Sequence, residues 1–184
     1  MKMRILFFML FIIMTTMVLP QNKPEEKLEA VTYVDLARYI GTWYEIARLP
    51  NGFQEKCVSD VTAYYTLLDD GQITVVNRCR CEDGSFTEAE GRARKARTDG
   101  PNTKLEVRFA PAFLSFLPFV WGKYWIIGLA DDYSYAVVGE PNREYLWILG
   151  RSPKLDEELF NEIIGRIKIK GYDVSKLIRT KHTQ

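Results

Sequence analysis

The chain has 184 residues, which is enough for one domain with a substantial apolar core. Its formal net charge of +1 excludes a bulk electrostatic attraction to nucleic acid, and we expect no nucleic-acid partner. Aromatic residues make up 13% of the chain, a high share that suits the lining of an apolar cavity.

The N-terminal segment has the pattern of an export signal. Lys2 and Arg4 precede an apolar run, Ile5–Leu19, that is too short to span a bilayer comfortably as a helix. We predict a signal peptide over residues 1–20 (an uncleaved anchor is the alternative), a flexible leader over 21–32 and one domain over 33–181. We expect an exported protein, periplasmic or associated with the outer membrane in a bacterium and secreted in a eukaryote. No cysteine precedes Cys57, so lipid attachment at an N-terminal cysteine is not expected.

Eight strand patterns follow Gly41 at short spacing. Turn signals such as Asp69-Asp70-Gly71 and Glu82-Asp83-Gly84 separate β-rich segments and indicate antiparallel hairpins. The predicted strands are Thr42–Leu49, Val58–Leu68, Ile73–Cys81, Phe86–Arg97, Lys104–Ala110, Lys123–Leu129, Tyr135–Gly139 and Tyr145–Gly150.

One helix is predicted after the last of these strands. Apolar residues recur there at helical spacing, and Gly171 can end the helix; they are Leu155, Leu159, Phe160, Ile163, Ile164 and Ile167. A last short strand is predicted over Lys176–Thr180. The order predicts an all-β fold, an eight-stranded antiparallel up-and-down β-barrel with a C-terminal α-helix and room inside for one small ligand.

Three sequence signatures resemble those of the lipocalin family. Gly41-x-Trp43 looks like the first, Asp131-Asp132-Tyr133-x-Tyr135-Ala136 like the second, and Arg151 like the third. The resemblance covers roughly residues 33 to 180. Three further segments are similar to the branch of bacterial lipocalins, plant temperature-induced lipocalins and apolipoprotein D; they are Trp43–Arg48, Tyr145–Leu149 and Gly171–Leu177.

The resemblance implies a closed end of the barrel built from Gly41, Trp43 and Arg151, with Arg151 packed across the Trp43 ring. It implies binding, storage or transport of lipids or other small hydrophobic molecules, such as a fatty acid or a lysophospholipid, with membrane maintenance or stress response as the setting. We expect no enzymatic activity, no cofactor and no metal, and a monomer or weak dimer.

Strand parity selects the side chains that would hold the ligand, because alternate residues share a face. Val61, Ala63 and Tyr65 share one apolar register, and Asn77 would be a rare polar group in the pocket. The expected ligand contacts are Val61, Ala63, Tyr65, Asn77, Val107, Phe109, Trp125, Tyr145 and Trp147. Plain core packing is the alternative for each.

Residues 110–121 form an apolar connection in which Pro111 and Pro118 argue against a strand. We expect an exposed patch at the open mouth that makes peripheral membrane contact; it comprises Phe113, Leu114, Phe116, Leu117 and Phe119. One alternative is a lid folded over the mouth. Another is a protein-interaction module that uses this loop and has a packed barrel.

The three cysteines, Cys57, Cys79 and Cys81, allow at most one intramolecular disulfide. Cys57 and Cys79 precede and follow the hairpin that turns at Asp69-Asp70-Gly71, so we predict that they pair. A Cys57–Cys81 bridge stays open as the alternative, as do three free thiols.

Catalysis is poorly supported by the sequence. The only histidine is His182, in the C-terminal tail, so no Ser/His or Cys/His pair can be placed in the core. A weaker alternative is an isomerase or synthase with Cys79 or Cys81 as its nucleophile.

Overall fold

A computed structural model describes residues 27–183; the predicted signal peptide lies outside them. The strands are β1 Gly41–Arg48, β2 Ser59–Leu67, β3 Ile73–Arg80, β4 Phe86–Lys95, β5 Lys104–Arg108, β6 Gly122–Leu129, β7 Tyr135–Gly139, β8 Leu146–Gly150 and β9 Ile178–Arg179. The α-helices are α1 Leu36–Tyr39 and α2 Glu157–Ile169. Neither has the length and apolar content that a bilayer span requires.

Strands β1 to β8 close into an antiparallel barrel. Each strand pairs with the next along the chain, and β1 also pairs with β8, so the ring has no free edge. β2 pairs with β1 only as far as Tyr44, and β9 pairs with Ala47 and Arg48 farther along the same strand. The predicted eight-stranded barrel with a C-terminal helix is confirmed. The sequence pattern does not predict α1, because four residues are too few to show a helical period.

Alternation along the strands produces two apolar cores. Inward side chains such as Ala63, Leu105 and Val138 form one core inside the barrel. Outward side chains such as Val137 and Ile148 form the other, beneath α2. One face of the sheet therefore surrounds the interior while part of the other supports the helix.

Helix α2 covers the outer wall of the barrel. Its N-cap is Asp156, whose carboxylate accepts hydrogen bonds from the backbone N–H groups of Glu158 and Leu159. Ile163 and Ile167 are each 1% exposed and pack against the outward strand residues. The apolar stripe predicted from the sequence is therefore the buried face of the helix.

Residues 27–40 lie against the barrel. Leu28 and Val34 are buried, and the backbone N–H of Val31 donates to the carbonyl of Ile126 at 2.8 Å. This differs from the flexible leader expected over residues 21–32, because in its described part Leu28 packs into the core beneath α2 and Val31 is hydrogen-bonded to β6. The segment then enters α1, which covers the closed end.

Residues 177–183 run back along β1 and β2. The backbone N–H of Thr180 donates to Ile46, and the backbone N–H of Asp60 donates to Lys181. The Asp60 carboxylate accepts from the Thr183 backbone N–H at 2.7 Å and from Arg80 Nε at 2.8 Å. The C-terminal tail is thereby fastened to the barrel.

Candidate functional site

The barrel encloses a cavity of about 790 Å³ that is open at one end. A volume of this size lies in the range of small-molecule sites. Eight of the nine expected contact residues line it, namely Val61, Ala63, Tyr65, Asn77, Val107, Phe109, Tyr145 and Trp147. A hollow interior favours a container over the interaction module with a packed barrel.

Trp125 does not line the cavity, contrary to the expectation from the sequence. Its neighbours on β6, Tyr124 and Ile126, belong to the inner core, so strand alternation turns Trp125 outward. The ring packs against the core beneath α2, and Lys104 Nζ lies 4.3 Å from its centroid. The expectation that Trp125 faces the cavity was wrong, because its position in the alternation of β6 places it on the outer face.

Phe109 reaches the cavity across a glycine. A Cβ at Gly91 would lie 2.8 Å from the Phe109 ring and 2.8 Å from the Arg108 carbonyl oxygen. Glycine on β4 thus lets the aromatic ring lie directly on the strand backbone and extend the apolar lining.

Three tyrosine hydroxyls meet at the floor of the cavity. Tyr124 Oη lies 2.9 Å from Tyr39 Oη and 3.0 Å from Tyr65 Oη. Tyr65 and Tyr124 line the cavity, whereas Tyr39 comes from α1 and is 1% exposed. Burial raises the pKa of Tyr65 to about 12 and also raises the pKa values of Tyr39 and Tyr124 well above the ordinary value. All three hydroxyls are therefore protonated at neutral pH.

Glu45 is a buried carboxylate in the cavity wall that we did not single out from the sequence. Arg48 donates to it at 2.7 Å and Gln54 Nε2 at 2.7 Å. Gln54 Oε1 in turn accepts from Trp147 Nε1 at 2.9 Å. The sequence signal was available, because Glu45 lies two residues after Trp43 and shares its inward register.

The mouth of the cavity combines aromatic and charged groups. Phe53, on the β1–β2 connection, lies 5.2 Å from the Tyr145 ring and 6.4 Å from the Trp147 ring. Both signs of charge line the cavity, on Lys56, Arg78, Glu88, Lys123, Glu140 and Glu144. An apolar ligand with a charged head would find partners of either sign here.

Cys57 and Cys79 form a disulfide, as predicted, and Cys81 is free. The bridge ties the end of the β1–β2 connection to β3, and both cysteines line the cavity. Cys79 is consequently unavailable as a nucleophile. Cys81 follows the end of β3 and does not line the cavity.

Trp43 and Arg151 lie together at the closed end. Arg151 Cζ is 3.8 Å from the centroid of the fully buried Trp43 ring. The same guanidinium donates to the backbone carbonyls of Thr42, Arg38, Tyr39 and Ile40. Gly41 has a φ of 91°, which glycine adopts readily, and a Cβ there would lie 3.6 Å from Arg151.

The apolar connection between β5 and β6 points outward. Phe113, Phe116 and Phe119 are 74%, 77% and 81% exposed, while Leu114 and Leu117 are half-buried. None of these five side chains lines the cavity, so the connection is not a lid in this conformation. At its base, the Trp121 ring packs against the guanidinium of Arg94, 3.8 Å from the ring centroid.

Within residues 27–183, no group of three or more His, Cys, Asp or Glu side chains is placed to hold a metal ion. His182 lies outside the barrel, where its Nε2 is 2.9 Å from the backbone oxygen of Glu45 and its ring is edge-on to Tyr44.

Comparisons with known proteins agree with this geometry. The family model described as a lipocalin-like domain matches residues 34–182. Temperature-induced lipocalin-1 of Arabidopsis thaliana is 40% identical over 157 residues, covering 85% of this chain and 83% of that protein. The outer membrane lipoprotein Blc of Vibrio cholerae is 40% identical over 157 residues, covering 83% and 85%. Mouse apolipoprotein D is 32% identical over 155 residues, covering 79% and 76%.

Solved structures share the architecture at lower identity. Insecticyanin from the tobacco hornworm Manduca sexta superposes with a TM-score of 0.65 at 22% identity, covering 85% of both chains. At this identity the likeness shows the fold alone.

Proposed function

The chain belongs to the lipocalin family, whose members bind small hydrophobic ligands, and we propose that this protein carries a fatty acid, a lysophospholipid or a similarly slim lipid in its barrel. The observation that carries the proposal is the open cavity of about 790 Å³ lined largely by apolar side chains. Burial of an acyl chain there would be favourable by roughly 0.8 kcal/mol for each CH₂ group.

Calorimetric titration of the purified protein with palmitic acid and with a lysophospholipid tests this proposal. We expect saturable binding with one site per chain. Ala89 lines the cavity, so Ala89→Phe should weaken binding at least tenfold by occupying the lipid's volume. Thr66→Phe, on the exposed outer side of β2, is the matched control and should bind like the parent. Absence of saturable binding to either lipid would exclude the carrier function.

The proposed activity is binding without catalysis. Cys79 is engaged in the disulfide, and Cys81 lies away from the cavity. Among the described residues, the cavity lining contains no histidine that could act as a base beside a nucleophile. Recovery of a bound lipid unchanged after prolonged incubation would support this, and a chemically altered lipid would contradict it.

We further propose that the connection between β5 and β6 docks the protein on a membrane. Phe113, Phe116 and Phe119 are more than 70% exposed, and each could contribute roughly 1.5–3 kcal/mol when buried among acyl chains. Ala110 and Val120, near the two ends of the connection, line the cavity, so a docked molecule would bring its mouth near the lipid surface.

Vesicle sedimentation tests the docking proposal. Replacing Phe113, Phe116 and Phe119 together with Ser should lower the apparent affinity for phosphatidylcholine vesicles at least tenfold. Tyr64→Ser, an exposed aromatic position on the outer side of β2, is the matched control and should sediment like the parent. If the triple variant also sediments like the parent, the connection is not the anchor.

We propose that the protein is exported, periplasmic or associated with the outer membrane if the source is bacterial and secreted if it is eukaryotic. We also propose that it is a monomer or weak dimer. A disulfide suits an oxidising compartment, and the similar protein of Vibrio cholerae is named an outer membrane lipoprotein. N-terminal sequencing of the protein from its native host should begin near residue 21. Analytical ultracentrifugation should give the mass of one chain at micromolar concentration.

A further inference from the structure

The hydroxyls of Tyr39, Tyr65 and Tyr124 form a polar cluster at the floor of the pocket, surrounded there by apolar side chains. Tyr124 Oη contacts the other two hydroxyls at 2.9 and 3.0 Å. The cavity lining around them is apolar and includes Ala63, Val75, Val138 and Leu149. A purely hydrocarbon cargo gives no reason to place three hydroxyl groups at this point.

The cluster always has one unused proton. Three hydroxyls carry three protons, and the two hydrogen bonds among them use two, whichever way each bond points. Among residues 27–183 the three hydroxyls have no partner except one another. Two of the three, Tyr65 and Tyr124, face the cavity, so the cluster presents donor and acceptor capacity to whatever enters.

The surroundings determine which chemical group would satisfy this capacity. An alkyl end that displaced water from the floor would leave the donor without a partner, which is costly in an apolar environment. A carboxylate would also be disfavoured, because the side chains named above carry no charge and Glu45, opposite Leu149 in the wall, is itself a carboxylate already paired with Arg48. Arg151 is held by four backbone carbonyls and stacks on Trp43, which does not itself line the cavity. An uncharged oxygen fits, because it can accept the proton without bringing a charge.

We propose that the Tyr39–Tyr65–Tyr124 cluster is a subsite for an uncharged oxygen, a hydroxyl or carbonyl, at the end of the ligand that reaches the floor. This proposal rests on the cavity being the ligand site, as proposed above. The ligand is then polar at its leading end and apolar along its length. A charged head, where one is present, stays among the charged side chains at the mouth.

A pair of matched probes tests the subsite, namely palmitic acid and its ω-hydroxylated form, which differ only at the end opposite the carboxylate. Burying an unpartnered hydroxyl in an apolar floor would weaken binding by one to two orders of magnitude. With the subsite present, the ω-hydroxylated acid should instead bind at least as tightly as palmitic acid. Equal or tighter binding supports the proposal, and binding weaker by tenfold or more overturns it.

The double variant Tyr65→Phe/Tyr124→Phe removes both hydroxyls that face the cavity. The ratio of the two dissociation constants should shift by about tenfold or more against the ω-hydroxylated acid, on the scale of one lost hydrogen bond in an apolar site. Tyr64→Phe removes a hydroxyl on the outer side of β2 and is the matched control, for which the ratio should stay unchanged. An unchanged ratio in the double variant would overturn the subsite. If that variant fails to fold, the comparison of the two acids on the parent protein decides.

The two proposals fail in different ways. If both acids bind saturably but the hydroxyl is disfavoured, the subsite is wrong and the carrier function stands. If neither acid shows saturable binding, the carrier function and the subsite are both wrong.

Discussion

Arg151 joins three parts of the chain at the closed end. Its guanidinium covers the Trp43 ring on β1, and it donates hydrogen bonds to the carbonyls of the last two residues of α1 and of Ile40, which follows them. One side chain thereby fixes the first strand, the end of α1 and the residue that follows β8. Its contribution is structural because none of its contacts lies on the ligand side.

Arg151→Ala should lower the free energy of unfolding by about 2 kcal/mol, since it removes a partly desolvated cation–π contact together with several charge-assisted hydrogen bonds. Urea denaturation measures the loss. Arg151→Lys keeps the charge but not the planar fork, so it should recover only part of it. Affinity for palmitic acid should stay within twofold of the parent. Unchanged stability combined with altered ligand choice would reverse the assignment.

Asp60 has a positive φ of 53° on β2 and a carboxylate that receives several hydrogen bonds. Partial burial raises the pKa of this carboxyl, but the hydrogen bonds from Arg80 and Thr183 outweigh that effect and hold the pKa well below its ordinary value of 3.8. Because the folded pKa is depressed, the stabilisation is present above the ordinary value and is lost as the pH falls below it.

The destabilisation caused by Asp60→Asn should therefore depend on pH. At pH 7 we expect a loss of about 2 kcal/mol, the scale of hydrogen bonds to a charged group. The difference between parent and variant should shrink by about 1 kcal/mol between pH 7 and pH 3, where the unfolded carboxyl takes up its proton. Denaturant unfolding of both proteins at each pH measures the difference. The contributions of the other carboxyl groups are the same in parent and variant and therefore cancel. A pH-independent difference would contradict the role given to the carboxylate.

At the scale of elements, α2 is held by its apolar stripe. Ile163→Ala should destabilise the protein by about 3 kcal/mol, because a fully buried branched side chain is removed from a packed interface. Ile169 is 81% exposed on the same helix, so Ile169→Ala is the matched control and should change stability by less than about 0.5 kcal/mol. Thermal unfolding of the two variants side by side compares them. Similar losses at both positions would mean that the helix is not docked through this face.

The disulfide constrains the connection between β1 and β2. The two cysteines are 22 residues apart in sequence. Replacing both with Ser should lower the free energy of unfolding by at most about 3 kcal/mol, and by less if the hairpin already restricts this loop in the unfolded chain. Cys81→Ser should cost little because that thiol is unpaired. Peptide mapping without reduction should recover a peptide pair joined through Cys57 and Cys79. Three alkylatable thiols would contradict the bridge.

The elements were predictable from the sequence where a local pattern decides them. Leu105 and Val107 alternate with charged residues on β5, and the turn at Asp69-Asp70-Gly71 marks the hairpin of β2 and β3. Strand and register at both places follow from neighbours in the chain. Trp125 shows the limit, because its aromatic character suggested the interior while its position on β6 places it outside. Helix α1 is too short to give a period.

At the scale of the whole molecule, most residues that line the cavity could be predicted from the sequence, but the hydrogen bonds between them could not. Of the eight lining residues identified from the sequence, six lie on strands, and Phe109 and Tyr145 lie one residue beyond a strand end, so each depends only on its own segment of chain. The hydroxyl cluster brings Tyr39 to Tyr124 across 85 positions of sequence, and Trp147 meets Gln54 across 93. Such contacts depend on closure of the barrel and on how α1 and the β1–β2 connection fold onto its ends, which no local pattern records.

The covered bottom of the barrel determines how cargo can be exchanged. Val34, Tyr39 and Trp43 are each 1% exposed or less, so residues 27–183 form a cavity that is closed at this end and open at the other. A molecule of this shape cannot act as a conduit that takes a lipid in on one side and releases it on the other. On the proposed carrier function, cargo would enter and leave through the same opening, so the rate of delivery between two surfaces should depend on how quickly the protein leaves each of them.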